Sequence, residues 1–189
     1  MPPLPRPPSP TAVPATPDTA VRKTSFAPVA NAHTRLLILG SLPGDQSLAR
    51  QQYYGNKQNR FWMLMSAVTG LDLVALPYEE RLHALLGCGV GLWDVVAAAH
   101  RPGSLDSAIR ERADNDLPGL LARLPQVQTI AFNGGTAARL GLKVLGPRAA
   151  GYRIVALPSS SPAYTLAYEE KLRAWLGLSA ALQLTHPYD

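Results

Sequence analysis

Cysteine is nearly absent: Cys88 is the only one in 189 residues. One thiol cannot build an internal disulfide framework or supply a cysteine-ligated zinc or iron–sulfur site within one chain. Cys88 is expected to serve as a small buried residue. No apolar run is long enough to span a bilayer, and residues 1–24 lack the charged start and continuous apolar stretch of a secretory signal. The expectation is a soluble, cytoplasmic protein without a membrane partner, nucleoid-associated if bacterial. Acidic residues are also missing from a long interval. None lies between Asp116 and Glu169, while Arg123, Arg139, Lys143, Arg148 and Arg153 all do. Net charge is only +5, but one region is wholly basic. Phosphate neutralisation with counterion release makes a polyanion its natural partner.

Proline is what the chain has in excess, with half of its 18 residues placed before Val29. Residues 1–24 mix Pro, Ala, Thr and Ser with no hydrophobic period, which predicts a disordered tail. Residues 25–189 are then the folded domain, long enough for a sizeable core.

Within that domain, Leu36–Leu39 is apolar without alternation, the pattern of a strand covered on both faces. Further strands are predicted over 90–96, 127–132 and 152–157. Helices are predicted over 59–68 (closed by Gly70), 78–86, 105–112, 117–124, 136–140 and 166–176, with Asp116 as N-cap and Pro118 in the first turn of the fourth. Strands alternating with helices give an α/β class, a three-layer α/β/α domain around a mostly parallel sheet of about four strands.

Ligands of such sheets bind beyond the carboxyl ends of the strands. Three of those ends carry unusual residues: Gly40-Ser41-Leu42-Pro43-Gly44, Phe132-Asn133-Gly134-Gly135, and Leu157-Pro158-Ser159-Ser160-Ser161-Pro162. After the first come two tyrosines, Tyr53 and Tyr54, and then Gln58-Asn59-Arg60-Phe61-Trp62 opening a helix. A strand, a glycine–proline loop, two aromatic rings and an amide in this order suggest a pocket that handles a nucleobase. No Gly-x-Gly-x-x-Gly or phosphate-loop pattern follows the first strand, which weakens a nucleotide-binding alternative. The serines have no nucleophile elbow around them, and His33, His83, His100 and His186 have no triad context.

Together these blocks resemble the uracil-DNA glycosylase superfamily over about residues 31–177, with the hypoxanthine-DNA (deoxyinosine) glycosylase family as the nearest pattern. The resemblance implies a uracil-DNA-glycosylase-like fold. It also implies a monofunctional enzyme of base excision repair that flips a deaminated base out of double-stranded DNA and hydrolyses its glycosidic bond. Neither metal nor cofactor is implied, and a monomer is expected.

Under that resemblance Tyr54, or else Tyr53, stacks on the extruded base. Gly40, Ser41 and Leu42 line the base site. Asn133 reads the base by accepting from a ring N–H and donating to the adjacent carbonyl. Hypoxanthine and uracil both present that pair, whereas adenine and cytosine present the reverse. As a structural alternative, Asn133 is a turn residue before Gly134.

Other families carry an aspartate or asparagine at the place held here by Leu42; resemblance to the hypoxanthine family implies that the water-positioning duty falls to Asn59, which can also be a helix cap. Pro43, Ser47, Lys57, Arg60, Ser159, Ser160 and Ser161 are the expected DNA contacts. With water as nucleophile no lyase step is expected, since Lys57, the lysine beside the motif, lacks desolvating surroundings. A uracil glycosylase, and a lesion-binding domain without turnover, are the alternatives.

Overall fold

Short apolar runs become a largely buried parallel sheet, and the glycine, proline and asparagine that follow them set its edge. The computed structural model of the chain describes residues 22–182. In chain order the elements are β1 (Arg22–Thr24), β2 (Leu36–Gly40), α1 (Asp45–Arg50), α2 (Phe61–Thr69), α3 (Tyr78–Gly87), β3 (Val90–Asp94), β4 (Val96–His100), β5 (Arg110–Asp114), α4 (Leu117–Ala122), β6 (Thr129–Asn133), α5 (Gly135–Leu145), β7 (Arg153–Leu157), α6 (Tyr168–Leu176) and α7 (Ser179–Leu182). Short 3-10 turns lie at Asp106–Ala108 and Gly146–Gly151.

The central sheet has the order β3-β2-β6-β7, and each of its pairings is parallel. Alternation along the strands sends successive side chains to opposite faces. Leu36 and Ile38 pack with Val90, Leu92 and Ala131 against Phe61, Leu64 and Met65 of α2 and Trp175 of α6. Leu37 and Leu39 pack with Trp93, Ile130 and Phe132 against Leu120 and Leu121 of α4 and Leu140 of α5. Two apolar layers are thereby closed, one on each side of the sheet. Each fully buried Leu, Ile or Phe in them contributes about 1.5–3 kcal/mol from area removed from water. Asp116 caps α4 as expected, its Oδ1 accepting from the Gly119 N–H at 2.9 Å, and Gly70 ends α2 in the left-handed region at φ 74°.

Several expectations need correction. The strand expected over 90–96 breaks after Asp94. The Val95 and Val96 N–H groups follow the exit of β2 by donating to the carbonyls of Gly40 and Ser41, and β4 then leaves for a second sheet, β1-β4-β5. Its pairings are antiparallel. The helix expected over 105–112 is instead a 3-10 turn followed by β5, exposed at all five positions. Helix-forming residues there yield to pairing with β4, which is interrupted by register shifts and by Glu111 at φ 47°.

Arg22–Thr24, assigned to the tail, is strand β1; residues 1–21 of that tail lie outside the described residues. Helix α1 was not anticipated, and α5 runs further than the expected 136–140. Cys88 is half-buried behind α3, where desolvation raises its thiol pKa. No helix among the described residues is long and apolar enough to cross a membrane.

Candidate active site

The registers align the carboxyl ends of the sheet. Gly40 sits opposite Asp94, Leu39 opposite Phe132, and Asn133 opposite Leu157. Asp94, Gly40 and Asn133 therefore stand level, and alternation turns them toward the face that carries α2. A Cβ on Gly40 would stand 2.6 Å from Asp94 Oδ1 and 3.4 Å from the Tyr54 hydroxyl, so only glycine leaves room for both groups. Above this row opens a cleft of about 470 Å³. It is walled by the 40–47 loop, the tyrosine loop, the Ser104–Asp106 turn, Asn133 with the start of α5, and the 159–164 loop.

The two tyrosines divide their work. Tyr53 is buried, its hydroxyl donating to the Ala27 carbonyl at 3.0 Å and its ring edge-on to Phe26 at 5.1 Å. Its hydroxyl is thus committed to the core, although the residue borders the cleft. Tyr54 lies flat on Phe61, with centroids 3.7 Å apart and planes 12° from parallel. A base can stack only on its other face. The Tyr54 backbone is in the left-handed region at φ 54°, a conformation costing a non-glycine residue about 1–3 kcal/mol. Burial, then the neighbouring Asp94, push its phenol above the ordinary value, with the Asn133 side chain acting against them.

Asn133 is buried at the end of β6 and is clamped by Ser160. Its Oδ1 accepts from the Ser160 N–H and its Nδ2 donates to Ser160 Oγ, both at 2.8 Å. A backbone N–H can only donate, so the amide cannot flip and its remaining donor and acceptor have fixed positions. Gly134, at φ 103°, makes the turn that follows, and any Cβ there would press on Ser159 at 3.1 Å.

Ser160 is itself fully buried, so it is an internal brace and not the expected DNA contact. Ser159 and Ser161 are half-buried and line the cleft. Lys171, buried in α6, donates to the carbonyls of Ser161 at 3.1 Å and Tyr164 at 2.7 Å, while Trp175 Nε1 holds the Pro158 carbonyl at 3.0 Å. The loop is thereby tied down from beneath, with Pro162, Ala163 and Tyr164 left exposed at its tip.

Asn59 is half-buried at the cleft, and its Oδ1 accepts from the Phe61 N–H at 3.0 Å. That bond closes a turn leading into α2, whose capping position is Arg60, and leaves a second lone pair and both amide protons of Asn59 available to a ligand. Lys57 and Arg60 are exposed and outside the cleft lining. The Arg60 N–H bonds the Ser160 carbonyl at 3.0 Å and joins the tyrosine and serine loops. Ser47 is buried and accepts from the Gly55 N–H at 3.0 Å, so its hydroxyl braces the tyrosine loop from α1 and is not a surface phosphate contact.

The first loop is held from inside. Arg101, almost fully buried, donates from Nη1 to the Leu42 carbonyl at 3.1 Å, from Nη2 to the Pro43 carbonyl and from Nε to the Gly103 carbonyl at 3.2 Å. Leu42 places its side chain in the core layer shared with Trp93 and Phe132, so what it can offer a base is backbone. Ser41 Oγ donates to Asp106 Oδ1 at 2.6 Å, and Asp106 also pairs with Arg101 at 3.6 Å. Asp45 opens α1 and pairs with Lys23 of β1.

Sequence reasoning missed Asp94. It is buried in the cleft floor, its Oδ2 has no hydrogen-bond partner, and burial, opposed by Arg101 and reinforced by Asp106, pushes its carboxyl up to about 7. A single acid at the end of an apolar strand, in Val90-Gly-Leu-Trp-Asp94, was the available signal. The basic interval also distributes differently from the expectation. Arg123 follows α4, Lys143 is in the last turn of α5, Arg148 lies in the 3-10 turn after it and Arg153 begins β7, all toward the sheet edge opposite the cleft. Of the five, only Arg139 lies near it, in an adjoining groove of about 290 Å³ with Arg110 and Arg112. Among the described residues no group of three or more His, Cys, Asp or Glu could hold a metal ion.

The profile of the Uracil DNA glycosylase superfamily matches residues 27–183. A protein of Methanosarcina acetivorans named hypoxanthine DNA glycosylase is 43% identical over 141 residues, covering 75% of this chain and 87% of that protein. Its namesake in Methanosarcina barkeri is 37% identical over 155 residues, 82% and 96% of the two chains. A solution NMR structure from M. acetivorans, described as a candidate uracil DNA glycosylase, superposes with a TM-score of 0.77 at 39% identity. It covers 86% of this chain and 99% of its own.

Proposed function

The chain belongs to the uracil DNA glycosylase superfamily, and we propose from that membership and its cleft that it is a monofunctional DNA glycosylase excising hypoxanthine from deoxyinosine in duplex DNA. The observation that carries the reading is the shared cleft: Tyr54 and Asn59, from the loop between α1 and α2, and Asn133, from the distant end of β6, border one cavity. In this reading the everted base stacks on the open face of Tyr54. Asn133, locked by Ser160, accepts from the ring N–H, and the base carbonyl takes the amide proton that Ser160 leaves free. Adenine presents the opposite pattern and leaves a buried donor facing a donor, an arrangement costing roughly 1–3 kcal/mol.

Asn59 orients the water that attacks the sugar carbon. Its amide is a weak base, so the acceleration comes from orientation and from stabilising an oxocarbenium-like sugar and a departing base. Lys57 and Arg60, exposed beside the cleft, meet backbone phosphates, as do the hydroxyls of Ser159 and Ser161 and the stiff backbone at Pro43. The enzyme works as a monomer on chromosomal DNA inside the cell. Uracil offers Asn133 the same edge, which makes uracil excision the second reading.

Duplexes containing a single deoxyinosine, deoxyuridine or deoxyxanthosine, followed by alkali treatment and a binding measurement, test the proposal. Strand scission confined to, or strongest with, deoxyinosine is expected. Preference for deoxyuridine moves the assignment to uracil, and binding without abasic product removes the enzyme claim.

A further inference from the structure

Asn133 and Asp94 occupy the two sides of the cleft floor at one level of the sheet, separated by β2. Adjacent strands lie about 4.8 Å apart, so the two residues are spaced by about 10 Å. Gly40 stands between them with the Tyr54 hydroxyl above it. A base stacked on Tyr54 with one edge on Asn133 therefore extends toward Asp94. A bicyclic purine reaches that far; a single pyrimidine ring stops short.

Asn133 is held by Ser160 at both ends of its amide, whereas Asp94 Oδ2 is buried with no partner at all. An orphaned buried carboxyl oxygen is costly, and such a group calls for an explanation. We propose, building on the glycosylase reading, that Asp94 is the general acid of the reaction, donating its proton to N7 of the departing hypoxanthine.

The step balances without any further reactant. As the bond between the sugar carbon and N9 breaks, its electron pair stays with the base and the Asp94 proton forms a bond to N7. Neutral hypoxanthine leaves, the water held by Asn59 supplies its oxygen to the sugar carbon, and the proton that water loses replaces the one taken from the carboxyl. Protonation occurs in the ring that carries the leaving nitrogen, where developing negative charge is greatest.

The groups facing Asp94 are Arg101 and Asp106 from the segment after β4, and Tyr53 and Tyr54 from the loop after α1. Desolvation outweighs the attraction of Arg101 and keeps the carboxyl protonated up to about pH 7. The same acid has no acceptor on uracil, which has no N7, so it adds a preference for the purine that Asn133 alone cannot supply.

The test uses single-turnover excision of deoxyinosine and of 7-deaza-2′-deoxyinosine by the wild-type protein and by Asp94→Asn, from pH 5.5 to 9. With deoxyinosine the wild-type rate should fall above pH about 7, and Asp94→Asn should be slower by roughly a hundredfold at pH 6 without that alkaline limb. The wild-type preference for deoxyinosine over its 7-deaza analogue should shrink at least roughly tenfold in the variant, because the side chain and the atom it serves are both gone. An unchanged preference, or a variant that keeps both rate and pH limb, overturns the role of Asp94. The glycosylase reading fails separately, if the wild-type protein releases no base from any duplex. The 7-deaza comparison in the wild-type protein needs no variant to fold: an alkaline limb that persists with the analogue also refutes the proposal.

Discussion

The two sides of the cleft floor are built on opposite terms. Around Asn133 the brace is complete: Ser160 fixes both ends of the amide, and Lys171 and Trp175 hold the loop that supplies Ser160. Around Asp94 a partner is missing, and the carboxyl lies buried at the cleft floor with one oxygen unbonded. A satisfied polar group gains rigidity and can measure a ligand without moving. An unsatisfied one keeps its chemistry for the ligand, at a cost to the fold. The comparison assigns recognition to one side and reaction to the other.

Breaking the satisfied side should have the largest effect. Asn133→Ala removes the base-reading amide and leaves the buried Ser160 N–H without an acceptor. Deoxyinosine excision should fall on the order of a hundredfold or more, with stability lower by about 1–3 kcal/mol in urea titration. A variant of undiminished rate would show that the amide serves only the turn.

On the other side, Asp94→Asn should stabilise the protein at neutral and alkaline pH. The folded carboxyl titrates near 7 against an ordinary 3.8. A raised acid favours the fold only while protonated, so its contribution is complete below pH about 4 and is lost as pH rises to about 7. The variant should thus gain on the wild type across that window and hold the gain above it, by on the order of 2–4 kcal/mol at most. Thermal melts from pH 4 to 8 follow it directly; a pH-independent difference would mean that Asp94 is not titrating where its burial puts it.

The smallest effects belong to the rim. Arg60→Ala or Lys57→Ala should weaken duplex binding a few-fold irrespective of the base present. Each should reduce the slope of log affinity against log salt by about 0.9, as expected for one lost phosphate contact. An unchanged slope would take that residue off the DNA path.

The four strands of the central sheet were legible because each holds a short apolar run, Leu36–Leu39 and Ile130–Phe132 among them, and burial in a parallel sheet favours such runs. Their loops were legible because Gly40, Asn133 and Pro158 interrupt those runs abruptly. β5 was not, since Arg-Glu-Arg-Ala-Asp is exposed throughout and carries no periodicity for either a helix or a strand. Its conformation is set by β4 alongside it. Ser160 and Ser47 read as surface hydroxyls, yet each is an internal brace, because a small polar residue can be buried once a specific acceptor or donor waits for it. Asp94 was hidden inside a strand whose other residues are apolar, and only the alignment of strand ends reveals that its side chain borders the cleft. The basic interval was real in the sequence, but helix and strand direction carry most of it to the far edge.

The central claim is that Asn59, in the same cleft as the base-reading Asn133, positions the hydrolytic water. Single-turnover excision of deoxyinosine at saturating enzyme, wild type against Asn59→Ala, measures it most directly. The expected result is a rate lower by more than roughly tenfold with duplex affinity nearly intact. Equal rates for the two proteins would contradict it.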